Sequence, residues 1–333
     1  MHTKAAVLIE PSGLDIQDVE EPAPSPGEAL VSVRSVGICG TDLKIVSGAI
    51  KVDLPRIIGH EIVGEVVGSD ADGSPLGRVL VDPGVACGTC LQCREGRSNI
   101  CTRGWLLGRD RDGGLRGSMT VPVANLHAIP DAIPDAVAPL IQVLTTCLHA
   151  QRMTSIFPGD RVVILGMGVT GLLHLQLARL RGATVVCSTR SEWKLALARD
   201  LGADVTIASD GTENEEIIRA TEGGADLVID SVGSVPTLAT AISIARIGGR
   251  VMSYGTIAET SGAMPFYQLY YKEITLTNPR ASRPEDFPAA IQVVSSGGVR
   301  LEPLLSHRFE LAQAAEAVTM SGSPESLKVV IEL

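Results

Sequence analysis

The chain has 333 residues, 45% hydrophobic and 20% charged, with a formal net charge of −10. At roughly 150 residues per domain this suggests about two domains, with enough chain to bury a core without disulfide staples. The acidic balance, 28 Lys+Arg against 38 Asp+Glu, argues against nucleic acid or anionic membrane as a partner, and no apolar run approaches the ~20 residues of a membrane span.

The opening "MHTKAAVLIEPSG" holds no long apolar region of the signal-peptide kind, so a cytoplasmic protein is expected. Residues 1 to about 147 read as short strands and turns. "ALVSVRSVGI" and "IVGEVVG" are strand candidates, and Pro22, Pro24 and Pro26 mark an extended entry. Within this half, Cys39 in "GICGTD" and His60-Glu61 in "GHE" offer ligand chemistry from separate loops. Read singly they are a buried thiol, a satisfied histidine and a solvated acid; together they suggest a metal, with Asp42 placed to orient the His60 ring.

Further along, Cys87-x2-Cys90-x2-Cys93-x7-Cys101 can place four thiolates around one tetrahedral zinc, in a lobe of about residues 84–104. Four soft ligands leave no open position, so the role would be structural. An iron–sulfur cluster is the rival occupant. Cys147 and Cys187 read as small buried apolar residues.

The pattern changes after "FPGD" (157–160). "RVVIL", "ATVVCST", "DVTIA", "DLVID", "RVMSYGT" and "EITLT" are strands. "LLHLQLARLRG", "SEWKLALARDLG" and stretches near 212–220 and 236–247 are helices between them. Such alternation means βαβ units on a parallel sheet. Gly166-x-Gly168-x-x-Gly171 follows the first strand and opens its helix. That is the context of a dinucleotide fingerprint: a tight turn, a close approach to pyrophosphate, and a helix N-terminus aimed at the phosphates. Val169 and Thr170 lie within this turn.

An acid at the end of the second strand would bind both ribose hydroxyls of NAD and repel a 2′-phosphate. Here the stretch reads Ser188-Thr189-Arg190-Ser191, with Lys194 close behind. Three hydroxyls and a guanidinium predict NADP over NAD. Gly166, Gly168, Val169, Thr170, Gly171, Ser188, Thr189, Arg190 and Lys194 are therefore the expected cofactor contacts. His174, inside the helix after the glycines, reads as structural; His2, His127 and His307 have no partner visible in sequence. The last fifty residues form helices at "DFPAAIQVVSSG" and "LAQAAEAVTM" and a terminal strand, "LKVVIEL".

Taken together, "CGTD", "GHEIVGEVVG", the four-cysteine lobe, "GMGVTG", "GADLVIDSVG", "GGRVMSYGT" and "HRFELAQAAEAV" resemble the zinc-containing medium-chain alcohol, polyol and sugar dehydrogenases over essentially the whole chain. The resemblance implies an α/β protein: a GroES-like, mostly-β catalytic domain from residues 1–147 and 281–333, and a Rossmann domain, 148–280, with a doubly wound, six-stranded parallel sheet. It places the active site in the cleft between them and implies a homodimer or homotetramer through the Rossmann domain, with "EITLT" as edge strand.

It further implies two zinc ions per chain. Cys39 and His60 bind the catalytic one, Glu61 binds it directly or in alternation with water, and Gln142 stands where a further ligand is usually Cys, Asp or Glu. Glutamine is a weaker zinc ligand than those, and sugar dehydrogenases of the family carry it, so it leans towards a polyol or sugar. Thr41 matches the hydroxyl that starts the family's proton relay. Lys44 replaces a relay histidine, and "GGLRGS" (113–118) stands where the family has an acid and a tyrosine, at Gly117 and Ser118.

The expected reaction is reversible hydride transfer between NADP(H) and a secondary alcohol, polyol, sugar or ketone. Two other readings compete: a zinc-independent C=C or quinone reductase, against which Cys39 and His60 count, and an NADPH-binding protein that has lost catalysis, supported only by Gln142 and the altered 113–118 segment.

Overall fold

The computed structural model describes residues 2–69 and 77–333. The chain divides into two compact units, Met1–Thr145 with Arg283–Ser296 and Leu301–Leu333, and Thr146–Ser282 with Gly297–Arg300.

The first unit is mostly antiparallel β. Its main sheet runs in the order Leu126–Ala128, Gly77–Val81, Glu61–Ser69, Glu28–Ile38, Lys328–Glu332 and Leu305–Glu310, with Ser118–Pro122 also paired to Glu28–Ile38. Alternation in Glu28–Ile38 explains why one face is buried: Ala29, Val31 and Val33 point inward between more exposed neighbours. They join Ile62, Val79, Val81, Val329 and Ile331 in one core. His2–Glu10, Gly13–Glu20 and Arg56–Ile57 form a separate three-stranded sheet. Gly84–Val85 pairs with Trp105–Leu106 in a short ribbon that closes the four-cysteine loop.

The second unit carries six parallel strands in the order Val205–Ala208, Thr184–Thr189, Arg161–Leu165, Ala225–Asp230, Ala245–Ser253 and Thr275–Thr277. Arg161–Leu165, Thr184–Thr189 and Ala225–Asp230 each hold four consecutive buried residues because helices cover both faces of a doubly wound sheet. The order reverses between Arg161–Leu165 and Ala225–Asp230, the switch point at which such sheets bind ligands. This is the Rossmann-type α/β fold expected from the alternation of strands and helices. The "EITLT" segment supplies the edge strand.

Three local expectations need correction. Cys39 and Glu61 do not lie on separate loops: Cys39 caps the helix Gly40–Val46, and Glu61 is the first residue of the strand Glu61–Ser69. The stretch before residue 147 is not only strands and turns, because Pro139–Met153 is a fifteen-residue helix. Its β-branched Ile, Val and Thr hide the period, but proline at the first position and buried Leu140, Ile141, Leu144, Cys147 and Ala150 fix it as a helix. The helix expected near 236–247 is Val235–Ile244, where the next strand begins at Ala245. Among the described residues no helix is long and apolar enough to cross a membrane.

Candidate metal centres and nucleotide site

In the first unit, one ligand atom each from Cys39, His60 and Glu61 lie within 4.8 Å of one another. Local structure explains the convergence. The Asp42 carboxylate accepts the Cys39 N–H at 2.9 Å, closing the helix start in a capping box, and the Gly59 N–H at 3.2 Å. Asp42 therefore ties the Cys39 turn to the residue before His60. Its Oδ1 also lies 3.4 Å from His60 Nδ1, which leaves Nε2 as the ring's free donor atom.

Burial alone would favour neutral Asp42 and neutral His60. Their mutual attraction outweighs it: Asp42 is held below the usual carboxylate range, and Asp42 and Cys39 hold His60 well above 6.5. An imidazolium cannot ligate a metal, so the proton on His60 must leave first. Zinc binding to the metal-free protein is accordingly expected to release protons at pH 7, and affinity is expected to rise with pH as metal and proton compete less. Calorimetry in buffers of differing ionisation heat checks this: a binding enthalpy independent of buffer would contradict it.

Glu61 has a partner that no motif announced. Lys328 Nζ donates to Glu61 Oε1 at 2.7 Å, to Oε2 at 2.6 Å and to the Ile38 carbonyl at 3.0 Å. Both ends are buried, with side-chain exposures of 5% and 1%. The carboxylate lies over Gly37, where an added Cβ would overlap Glu61 Oε2. The sequence trace is a lysine opening the apolar run Val329–Ile331; its partner lies 267 residues away. Thr41 is the second residue of the helix Gly40–Val46, and Gln142 is buried on Pro139–Met153, where its backbone carbonyl accepts the Thr145 hydroxyl.

The second cluster gathers Cys87, Cys90, Cys93 and Cys101. Cys90 Sγ stands 3.5 Å from Cys93 Sγ and 3.7 Å from Cys101 Sγ. Tetrahedral zinc with Zn–S of 2.3 Å requires sulfurs about 3.8 Å apart, so the spacing fits. Backbone N–H groups point at sulfur, Cys87 to Cys101 and Cys90 to Cys87. The Thr89 N–H above all lowers Cys87 to about 5, while burial and the neighbouring sulfurs push Cys93 up to about 12. A divalent cation would relieve that crowding of charge.

In the second unit, Gly166 has φ 88° and its carbonyl lies where a Cβ on Gly171 would sit; nothing stands within 4 Å of a Cβ on Gly168. The first and third glycines are thus required by packing, and the second faces open space. No side chain caps the helix Val169–Leu180, so the N–H groups of its first turn, at Val169, Thr170 and Gly171, can face a phosphate. The Ser188 hydroxyl is buried without a partner among the described residues. Thr189 and Lys194 are half-buried and Arg190 is exposed.

His174 is fully buried, accepts or donates at Gln151, and is lowered to about 3 by burial, in keeping with a structural role. His127 stacks on Phe287 with ring centroids 4.5 Å apart. Cys147 and Cys187 are fully buried.

Comparison with known proteins bears on these sites. The family model for the alcohol dehydrogenase GroES-like domain matches residues 25–131, and that for zinc-binding dehydrogenases matches 169–296. Among curated proteins, L-galactonate-5-dehydrogenase of Escherichia coli (strain K12) is 33% identical over 315 residues, covering 92% of each chain. Sorbitol dehydrogenase of Halalkalibacterium halodurans is 29% identical over 324 residues, 95% of this chain and 94% of that one. Among solved structures, a predicted zinc-binding dehydrogenase of Sinorhizobium meliloti 1021 bound to NADP superposes with TM-score 0.95 at 32% identity, covering both chains fully. An alcohol dehydrogenase, rspB, of Escherichia coli CFT073 complexed with NADH gives TM-score 0.93 at 30% identity, covering 100% of this chain and 99% of that one.

Proposed function

The chain belongs to the zinc-binding alcohol dehydrogenase family, and from that premise we propose that it is a zinc-dependent, NADP-preferring dehydrogenase of secondary alcohols, polyols or sugars. The observation that carries this reading is the Cys39–His60–Glu61 cluster with Asp42 behind the ring. C=C reduction needs no such set of ligands, and a pure nucleotide binder has no use for it. Cys87, Cys90, Cys93 and Cys101 would hold a second, structural zinc. We assign catalysis to the unit containing residues 1–145 and cofactor binding to that containing 146–282.

Zinc held by Cys39, His60 and Glu61 would supply Lewis acidity to the substrate oxygen, and NADP(H) would supply or accept the hydride. The residues of the chain do the remaining work. Asp42 fixes the His60 ring with Nε2 forward. Lys328 holds the Glu61 carboxylate and balances its charge when it is not engaged with metal. Thr41 takes the substrate proton at its Oγ1 and passes it outward; Lys44, exposed on the same helix, stands in place of a relay histidine. Gln142 is a neutral candidate for a further ligand. The reading includes a homodimer or homotetramer in the cytoplasm and a small-molecule substrate.

NADP preference rests on Thr189 and Arg190. No acid stands at the end of Thr184–Thr189 to repel a 2′-phosphate, and Arg190 has no ion pair among the described residues that such a phosphate would have to break. Arg190→Ala is expected to lower kcat/KM with NADP about 10- to 100-fold, the worth of a charge-assisted hydrogen bond, and to change that with NAD far less. Steady-state kinetics with both cofactors checks this, and an unchanged NADP/NAD ratio would refute it.

A further inference from the structure

We propose that the substrate carries an oxyanion, a carboxylate or a phosphate monoester, on the carbon chain that bears the reacting hydroxyl, and that Arg111 binds it. This rests on the dehydrogenase reading above and names the substrate class of the same site.

The starting point is the backbone beside His60. The segment 105–115 is laced to the residues just before that histidine: the Gly113 N–H donates to the Ile57 carbonyl at 2.7 Å, Gly114 to Gly59 at 2.9 Å and Leu115 to Ile58 at 3.1 Å. Gly59, Gly108 and Gly113 approach so closely that a Cβ on Gly108 would stand 2.8 Å from the Gly59 carbonyl oxygen. Arg111 lies two residues from Gly113, at most about 7 Å of chain. Its own carbonyl accepts the Gly108 N–H at 2.8 Å. The loop that carries Arg111 is therefore clamped to the backbone of the metal cluster rather than draped over the surface.

The charges of this loop are then decisive. Asp110 is engaged by Arg109 at 2.7 Å and by the Leu106 N–H at 2.8 Å. Asp112 is engaged by Arg56 and by the Ile57 N–H, each at 3.2 Å. Two acids neutralise two arginines, and Arg111 is left over. It is exposed, and among the described residues no acid pairs with it. Its guanidinium is not adrift either: Cζ lies over the Trp105 ring, 5.9 Å from the centroid, the arrangement of a cation on an indole face.

Trp105 is itself fixed by the ribbon that closes the four-cysteine lobe, pairing with Val85. The lobe thus holds the platform on which the cation rests. In a chain of net charge −10, a preorganised and unneutralised guanidinium on a loop bonded to Ile57, Ile58 and Gly59, the residues just before His60, is suited to an anionic ligand. Its planar fork matches the two oxygens of a carboxylate or phosphate.

The test is steady-state kinetics with NADP on neutral hexitols, hexonates and hexitol phosphates. The proteins are the wild type, Arg111→Ala, Arg111→Lys and, as a comparison, Arg97→Ala on the cysteine lobe. The wild type is expected to favour an anionic class over the neutral one, and the class favoured separates carboxylate from phosphate. Arg111→Ala is expected to lower the anionic-to-neutral ratio of kcat/KM tenfold or more, Arg111→Lys to restore part of it, and Arg97→Ala to leave it in place. A ratio in Arg111→Ala equal to that of the wild type overturns the inference. So does a wild type that turns over neutral hexitols and neither anion, with the dehydrogenase reading intact. A wild type that turns over none of the three classes but oxidises simple secondary alcohols overturns the inference alone, and one that turns over no alcohol of any class, in either direction, overturns both.

Discussion

Replacing Cys39 by serine is expected to lower kcat/KM about a thousandfold or more while leaving one zinc per chain. The size follows from the Lewis-acid contribution of a bound metal, several kcal/mol, at about 1.4 kcal/mol for each factor of ten. Cys39 is the one soft ligand of the cluster. A serine hydroxyl at neutral pH does not ionise and binds zinc far more weakly. The substitution is also mild for the fold. Cys39 is the cap of Gly40–Val46, with its N–H held by Asp42, and serine is a preferred residue at that position. Loss of activity would then report the metal and not an unravelled helix. Metal analysis beside kinetics decides: full activity with a single zinc per chain would remove the catalytic role assigned to the cluster.

Lys328→Met is expected to destabilise the metal-free protein by about 3–5 kcal/mol, the cost of stranding one partner of a buried ion pair. Lys328 reaches both oxygens of Glu61, and both groups are almost wholly buried. Removing the ammonium leaves a carboxylate with no comparable partner except a metal ion. The penalty is therefore expected to shrink when zinc is bound, and to shrink again in the double variant Glu61→Gln/Lys328→Met, whose amide carries no charge. Urea unfolding of the wild type, Lys328→Met, Glu61→Gln and the double variant, with and without zinc, gives the coupling directly. A Lys328→Met midpoint equal to that of the wild type in the metal-free state would show that the pair is not the strut described here.

The two features differ in how far sequence could announce them. Cys39, His60 and Glu61 sit in short motifs, and the four lobe cysteines lie within fifteen positions, so residue chemistry and local spacing were enough to nominate them. The glycine turn was legible for the same reason. Each of its glycines answers a backbone requirement a few residues away, such as the Gly166 carbonyl that excludes a side chain at Gly171. Lys328 was not legible. A lysine opening the strand Lys328–Glu332 looks like a solvated strand end until that strand is laid against Glu28–Ile38, which brings Nζ to the Ile38 carbonyl and to Glu61.

The helix Pro139–Met153 shows a related limit. Its Ile141, Val143, Thr145 and Thr146 favour strand by local preference, and burial of its apolar face settles the matter. Arg111 is a third case. In sequence, Arg109-Asp110-Arg111-Asp112 alternates cation and acid with no sign of which pairs with which. Which of them remains unpaired depends on Asp112 meeting Arg56 from a distant part of the chain. By itself the sequence determined the α/β architecture and nominated the candidate ligands and the glycine turn, because periodicity, ligand chemistry and glycine geometry act over a few residues. Tertiary structure decided which charges are paired, which carboxylate is held and which guanidinium is free. Those outcomes are sums over groups far apart in sequence, brought within a few ångströms only when the sheets form.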